Sequence, residues 1–126
     1  MNSQRNELIN AGWSAETLEL AIATRFRCAY CDLDFMSSVD AYYSCEVEHI
    51  VPLSKKGKDE PENKTVVCST CNFLKRAWDP RSEAGEKASR EQLLAASKHY
   101  VQARRLEKEK TINREKVFAD FLRNRA

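Results

Sequence analysis

Apolar residues recur at helical spacing in the first part of the chain. Behind Ser14, which has the side chain of a helix N-cap, Leu18, Ala21, Ile22 and Phe26 fall on one helical face. The pattern predicts a helix over residues 14–26. A turn-rich segment that contains two cysteines follows it.

The next stretch changes to a strand-like pattern. Residues 41–51, AYYSCEVEHIV, mix aromatic and β-branched side chains with partial alternation, and Pro52 follows them. We predict a strand here, paired as one arm of a hairpin with the segment before it. Residues 53–63 concentrate Gly, Pro, Lys and acids without apolar periodicity, which indicates a surface loop. Residues 65–67 are too short to assign.

Helical spacing returns after the second cysteine pair. Residues 71–78 predict a short helix that stops ahead of Pro80, since a proline disfavours helical geometry in the residue before it. A longer helical region begins near Ser82 or Ser89, and a final segment at 113–122 carries four large apolar residues: Val117, Phe118, Phe121 and Leu122.

Length and charge narrow the class of protein. The chain has 126 residues, which suits one domain, and no stretch approaches the roughly 20 apolar residues of a membrane span. The chain begins without the basic-then-apolar layout of a secretory signal, so we expect a cytoplasmic, intracellular protein. The net charge is only +2, but residues 98–126 hold nine basic and four acidic side chains. That excess indicates either an arm that meets a polyanion or a solvated helix face.

Five cysteines include two CxxC pairs, Cys28/Cys31 and Cys68/Cys71. Two such pairs in one small intracellular chain predict a structural zinc site with four thiolate ligands, although redox or merely buried CxxC turns share the pattern. A closed four-cysteine site leaves no open position for catalysis. Cys45 is left over, and we expect a small buried hydrophobe there.

The candidate catalytic and metal-binding residues lie mostly between the two cysteine pairs. Glu46, Glu48 and His49 stand together at the end of the predicted strand, Asn63 follows the loop, and Asn72 directly follows Cys71. A neutral histidine can act as a general base, and carboxylate and amide oxygens suit Mg²⁺. Alone, this pattern fits a structural or surface histidine equally well. His99 has no clustered acid and is read as structural or surface.

The whole arrangement is more specific. The span CxxC, EHIVPLSKKGKDEPEN, CxxCNFLKR resembles the zinc-containing HNH endonucleases, also called ββα-metal or His-Me finger nucleases. The resemblance covers residues 28–76. It implies an α+β fold: a small ββα-metal finger braced by a four-cysteine zinc site, with flanking N- and C-terminal helices. We predict a single domain over residues 1–126, with a nuclease core at 28–76 and a helical extension at 82–126.

The resemblance also assigns roles, residue by residue. His49 corresponds to the family's general base, Glu48 and Asn72 to ligands of the catalytic divalent ion, and Asn63 to the Asn that positions the loop. The chain is thus an HNN variant. Glu48 reaches farther than the family's Asp, and an amide ligand favours Mg²⁺ or Mn²⁺ over tight catalytic zinc. Glu46 is read either as an outer support of the ion or as a solvated carboxylate.

The expected function is that of a metal-dependent HNH endonuclease that nicks or cleaves double-stranded DNA with low sequence specificity. A protein partner is one source of targeting, and no membrane partner is expected. Five basic side chains near the motif are expected to contact phosphates: Lys55, Lys56, Lys58, Lys75 and Arg76. The alternative is a non-catalytic zinc-stabilised module that binds nucleic acid or protein.

Overall fold

The structure, a computed structural model, describes residues 2–125 and combines helices with a two-stranded antiparallel sheet. The helices in this part of the chain are α1 (Asn2–Asn10), α2 (Ala15–Ala23), α3 (Val39–Tyr43), α4 (Ser69–Lys75), α5 (Arg81–Ala84) and α6 (Arg90–Arg123), and the strands are β1 (Cys45–His49) and β2 (Lys64–Cys68). The predicted α+β class with flanking helices is confirmed.

The sheet is a hairpin whose two strands flank the predicted loop. β1 pairs with β2 in a register that sets Cys45 opposite Cys68 and His49 opposite Lys64. The loop between them contains two short 3₁₀ turns, at Leu53–Lys55 and Pro61–Asn63. Because α4 begins directly after β2, the order strand, loop, strand, helix gives the expected ββα unit.

The predicted partner and extent of the first strand were wrong. Its partner is β2, the segment left unassigned, and residues 39–43 form α3 instead of the beginning of a strand. The reason is local, since the Ser38 side chain accepts a hydrogen bond from Ala41 N and so caps a helix that competes with extended backbone.

The predicted starts of α2 and α6 agree with the structure better than their predicted ends. Ser14 caps α2 as expected, but the helix ends early because Arg25 and Phe26 adopt positive φ angles of 58° and 59°. Ser89, together with Gln92, forms a capping box at the start of α6. The helical region expected from near Ser82 or Ser89 and the segment at 113–122, expected as separate elements, both fall in this one 34-residue helix.

The core lies between the hairpin and the helices. Every residue of β2 is buried, and its Val66 and Val67 are fully enclosed with Tyr30 and Phe35. The first half of α6 packs on this core, whereas its apolar residues beyond Val101 are exposed. Leu74 of α4 is buried and Trp78 stacks on the Tyr100 ring, whereas Phe73 is 61% exposed. Among residues 2–125, none of the helices combines the length and apolar character that a bilayer span requires.

Candidate active site and metal centre

Four cysteine sulfurs converge where the first turn after α2 meets the β2–α4 junction. The Sγ atoms of Cys28, Cys31, Cys68 and Cys71 all lie within 4.8 Å of one another, and those of Cys31 and Cys68 are 3.7 Å apart. Zinc with four thiolates at about 2.3 Å places its sulfurs roughly 3.8 Å apart. The predicted four-cysteine cluster is therefore present, with spacing that fits zinc.

The surroundings of the cluster supply donors to sulfur. Backbone N–H groups of Tyr30 and Cys71 approach the Sγ atoms of Cys28 and Cys68 at 3.4 Å. Nη2 of Arg105, on α6, lies 3.3 Å from Cys71 Sγ and 3.5 Å from Cys68 Sγ. Burial is the largest single influence and lowers the pKa of Arg105, but the hydrogen bond to Cys71 and the charges of the nearby cysteines together raise this pKa above its usual value. Arg105 was expected to face solvent or DNA.

Cys45 stands outside the cluster. It pairs with Cys68 in the strand register and is half-buried, and burial raises the pKa of its thiol to about 11. This keeps the thiol protonated at neutral pH, which agrees with its expected role as a small apolar residue.

Glu48 lies inside the protein beside the cluster. Its Oε2 accepts a hydrogen bond from the Tyr30 hydroxyl at 2.8 Å and from Lys75 Nζ at 2.9 Å. Burial raises the pKa of Glu48, and the Lys75 charge opposes that shift. Burial and then the nearby Glu48 charge hold the pKa of Tyr30 well above its usual value.

The placement of Lys75 differs from expectation. We expected this side chain to contact phosphate, but it is fully buried, and its Nζ also donates to the carbonyl oxygen of Ile50 at 2.8 Å. α4 packs against β1, which turns this residue inward. Lys75 is thus a buried partner of Glu48 and is enclosed from any nucleic acid on the surface.

His49 ends β1 with its side chain 26% exposed. Its Nε2 lies 2.8 Å from Oδ1 of Asp59, an oxygen that also lies 2.7 Å from Lys64 Nζ. The hydrogen bond from His49 and then the contact with Lys64 lower the pKa of Asp59. The sequence analysis did not single out Asp59, because this contact joins residues ten positions apart.

Asn63 ties the end of the loop to the loop's own backbone. Its side chain exchanges two hydrogen bonds of 2.9 Å with the backbone of Val51, and its Nδ2 also donates to the carbonyl oxygen of Lys58 at 2.8 Å. At Gly57 the backbone runs so close to Val51 that a Cβ would collide with the Val51 carbonyl. The loop therefore has a defined shape, with Lys55, Lys56 and Lys58 exposed on it.

Asn72 lies across from Glu48 on the first half of α4. Its Nδ2 donates to Glu46 Oε1 at 2.6 Å, which leaves the amide Oδ1 as the free acceptor. Arg76 follows at the end of the helix, exposed, with its guanidinium 4.4 Å from the centre of the Phe73 ring.

These side chains surround one open cleft of about 250 Å³ between β1 and α4. Its lining includes Glu48, His49, Asn72 and Arg76. Three of the four residues assigned by the resemblance thus meet in one place, and Asn63 braces the loop beside them.

A hairpin and helix joined by a four-sulfur site, with a histidine and a carboxylate at the strand end, define a zinc-braced ββα finger. The comparison with protein families gives the same class: residues 28–77 match the family described as HNH endonuclease. The match is confined to that segment, whose cysteine cluster fits the zinc-containing type of this family. No curated protein matches the chain.

Proposed function

We propose that this protein is a metal-dependent endonuclease that hydrolyses phosphodiester bonds of double-stranded DNA. The observation that supports this most is the meeting of Glu48, His49 and Asn72 in one open cleft of an HNH domain. A DNA backbone reaches such a cleft more easily than an enclosed pocket, because the attacked phosphate lies on the outside of the duplex.

The cleft has donors for a hard divalent cation. Oε1 of Glu48 and Oδ1 of Asn72 are carboxylate and amide oxygens that accept no hydrogen bond from the residues the structure describes. Oxygen ligands of these two kinds suit Mg²⁺ and Mn²⁺. When bound, such an ion neutralises charge on the phosphate and on the departing 3′ oxygen.

The protein's own part of the reaction rests on His49. Its ring accepts a proton from the attacking water while the new oxygen–phosphorus bond forms and the bond to the 3′ oxygen breaks. The departing 3′ oxygen takes up a proton from solvent, so the products carry 5′-phosphate and 3′-hydroxyl ends. Arg76 and the loop lysines, Lys55, Lys56 and Lys58, contact phosphates without reading bases, which gives low sequence specificity or dependence on a protein partner.

The cluster also bears on location. All five cysteines are free of disulfides, and four are placed as metal ligands. Thiols persist in reducing compartments, so we propose an intracellular protein.

The test is nicking of supercoiled plasmid by the zinc-loaded protein with Mg²⁺ or Mn²⁺, and with EDTA in a parallel reaction. We expect relaxed circles with either ion and none with EDTA, bearing ends that DNA ligase reseals. An absence of nicking across a series of divalent ions would contradict the proposal.

One observation favours a second candidate. Lys75 already neutralises Glu48, as expected of a zinc module that binds nucleic acid without cleaving it. A gel-shift titration distinguishes the two, because the module retards duplex DNA and leaves it intact with Mg²⁺ present.

A further inference from the structure

The two nitrogens of the His49 ring have different surroundings. Nε2 is 2.8 Å from the Asp59 carboxylate, whereas Nδ1 has no hydrogen-bond partner within residues 2–125. The ring lines the cleft with Glu48 and Asn72, and Asp59 lies on the loop. One nitrogen is held by the protein, and the other is free for chemistry.

We propose that Asp59 is a positioning residue that holds the proton of His49 on Nε2 and so leaves Nδ1 as the atom that accepts a proton from water. An ionised carboxylate has only acceptor atoms, so the nitrogen facing it must carry the hydrogen. In a neutral imidazole the other nitrogen then has the lone pair. The catalytic meaning of this role rests on the proposed nuclease function, but the proton position does not.

Asp59 is itself held in place, although its side chain is 68% exposed. Lys64, whose side chain is only 8% exposed, lies 2.7 Å from Asp59 and 3.2 Å from Glu16 of α2. The ammonium favours the ionised carboxylate, and the lowered pKa of Asp59 agrees with this. The preceding residue, Lys58, is tied to Asn63 through its carbonyl oxygen.

This arrangement links the loop to the base. Asp59 directly follows the segment that carries the three exposed lysines, so loop geometry and ring orientation depend on each other. A change in the loop that moves Asp59 also releases the ring, which can then rotate or exchange its proton between nitrogens. The expected cost is on the order of 10- to 100-fold in activity, as for other partners that orient a functional histidine.

The direct test is a long-range ¹H–¹⁵N NMR spectrum of the imidazole rings, recorded on the zinc-loaded full chain without added Mg²⁺, at a pH where the rings are neutral. The chain has only two histidines, so His99 serves as an internal reference. We expect the His49 proton on Nε2 in the wild-type protein. A proton on Nδ1, or a mixture of the two forms, would overturn the proposal without any variant.

The matched variants are Asp59→Ala and Glu60→Ala, two acids side by side on the loop, of which only the first contacts His49. Asp59→Ala should give a mixture of tautomers and a 10- to 100-fold slower nicking rate. Glu60→Ala should leave both unchanged. An Asp59→Ala protein that keeps Nε2–H would refute the positioning role. A correct tautomer in a wild-type protein that never nicks DNA would count against the nuclease function alone.

Discussion

Glu48 has to meet two requirements: its buried charge needs partners inside the protein, and the proposed metal ion needs one of its oxygens. Glu48 is only 5% exposed. Tyr30 and Lys75 both donate to one oxygen of its carboxylate. A buried carboxylate without such partners would be strongly unfavourable. Tyr30 and Lys75 therefore stabilise the buried carboxylate that we propose as a metal ligand.

Replacing Tyr30 with Phe tests this arrangement at the level of one hydrogen bond. The ring still fills its buried site, but Glu48 loses a donor. Hydrogen bonds to charged groups contribute about 1.5–3 kcal/mol, so we expect the free energy of unfolding of the zinc-loaded protein to fall by about that amount. Denaturant titration measures it.

Tyr43 supplies the matched control, because its side chain is 80% exposed. Tyr43→Phe should change the free energy of unfolding by no more than about 0.5 kcal/mol. Equal effects of the two substitutions would show that the Tyr30 hydroxyl does not stabilise Glu48.

At the level of elements, the site is built where β1, the loop and α4 meet, and α6 closes the opposite side over the zinc cluster. Arg105 of α6 lies against the sulfurs of Cys68 and Cys71. Four thiolates around Zn²⁺ carry a net charge of −2, so a guanidinium there offsets charge and fixes the helix at once. The cysteine cluster thereby connects the β2–α4 junction to α6.

Arg105→Gln should weaken zinc binding. The substitution removes the charge that faces Cys68 and Cys71, and groups in this outer position typically contribute 10- to 100-fold in metal affinity. Competition with a chromogenic chelator measures the change. Arg104→Gln, one residue earlier and exposed, should keep wild-type affinity, and a similar loss in both variants would contradict the role of Arg105.

Some elements could be predicted from sequence because their signals are local. The two CxxC pairs, the serine caps of α2 and α6 and the surface loop at 53–63 each depend on residues a few positions apart, and these predictions were confirmed. The meeting of the two pairs was predicted from the four ligands that zinc prefers. The strand over 41–51 was partly wrong because Ser38 caps a competing helix from outside that window. The apolar pattern of α6 also breaks where the helix stops packing on the core. The sequence therefore predicted two elements where the structure has one helix.

The missed parts of the site involve contacts between distant residues. Asp59 and His49 are 10 positions apart, and Arg105 and Cys71 are 34 apart. Lys75 reads as a surface lysine because nothing in its neighbourhood shows that α4 will turn it toward Glu48. Such contacts form only when the hairpin and helices assemble. His49 and Asn72 could be named from the sequence because they occupy fixed positions within a motif.

For the molecule as a whole, the zinc cluster joins two segments that are far apart in sequence. It ties the turn after α2 to the β2–α4 junction, and the hairpin with its loop lies between these two points. Metal binding to ligands that come together only in the folded chain contributes directly to folding. We therefore expect the nuclease core to need zinc in order to fold.

Elemental analysis should find about one zinc per chain, and Cys68→Ser should lose both zinc and cooperative thermal unfolding. Cys45→Ser is the matched control, since this cysteine lies outside the cluster and should retain the metal. A folded Cys68→Ser protein with an unchanged melting temperature would contradict the structural role of zinc.

The proposal that this protein cleaves DNA through His49 is tested most directly by comparing His49→Ala with His99→Ala in a plasmid-nicking time course with Mg²⁺ or Mn²⁺. His99 is exposed on α6, and its ring lies 3.2 Å from Glu83, away from the residues that line the cleft, so its loss controls for histidine removal as such. General-base catalysis typically contributes 10²–10⁴-fold, and we expect His49→Ala to slow nicking by about that factor while His99→Ala matches wild type. Equal nicking rates for wild type and His49→Ala would contradict the account.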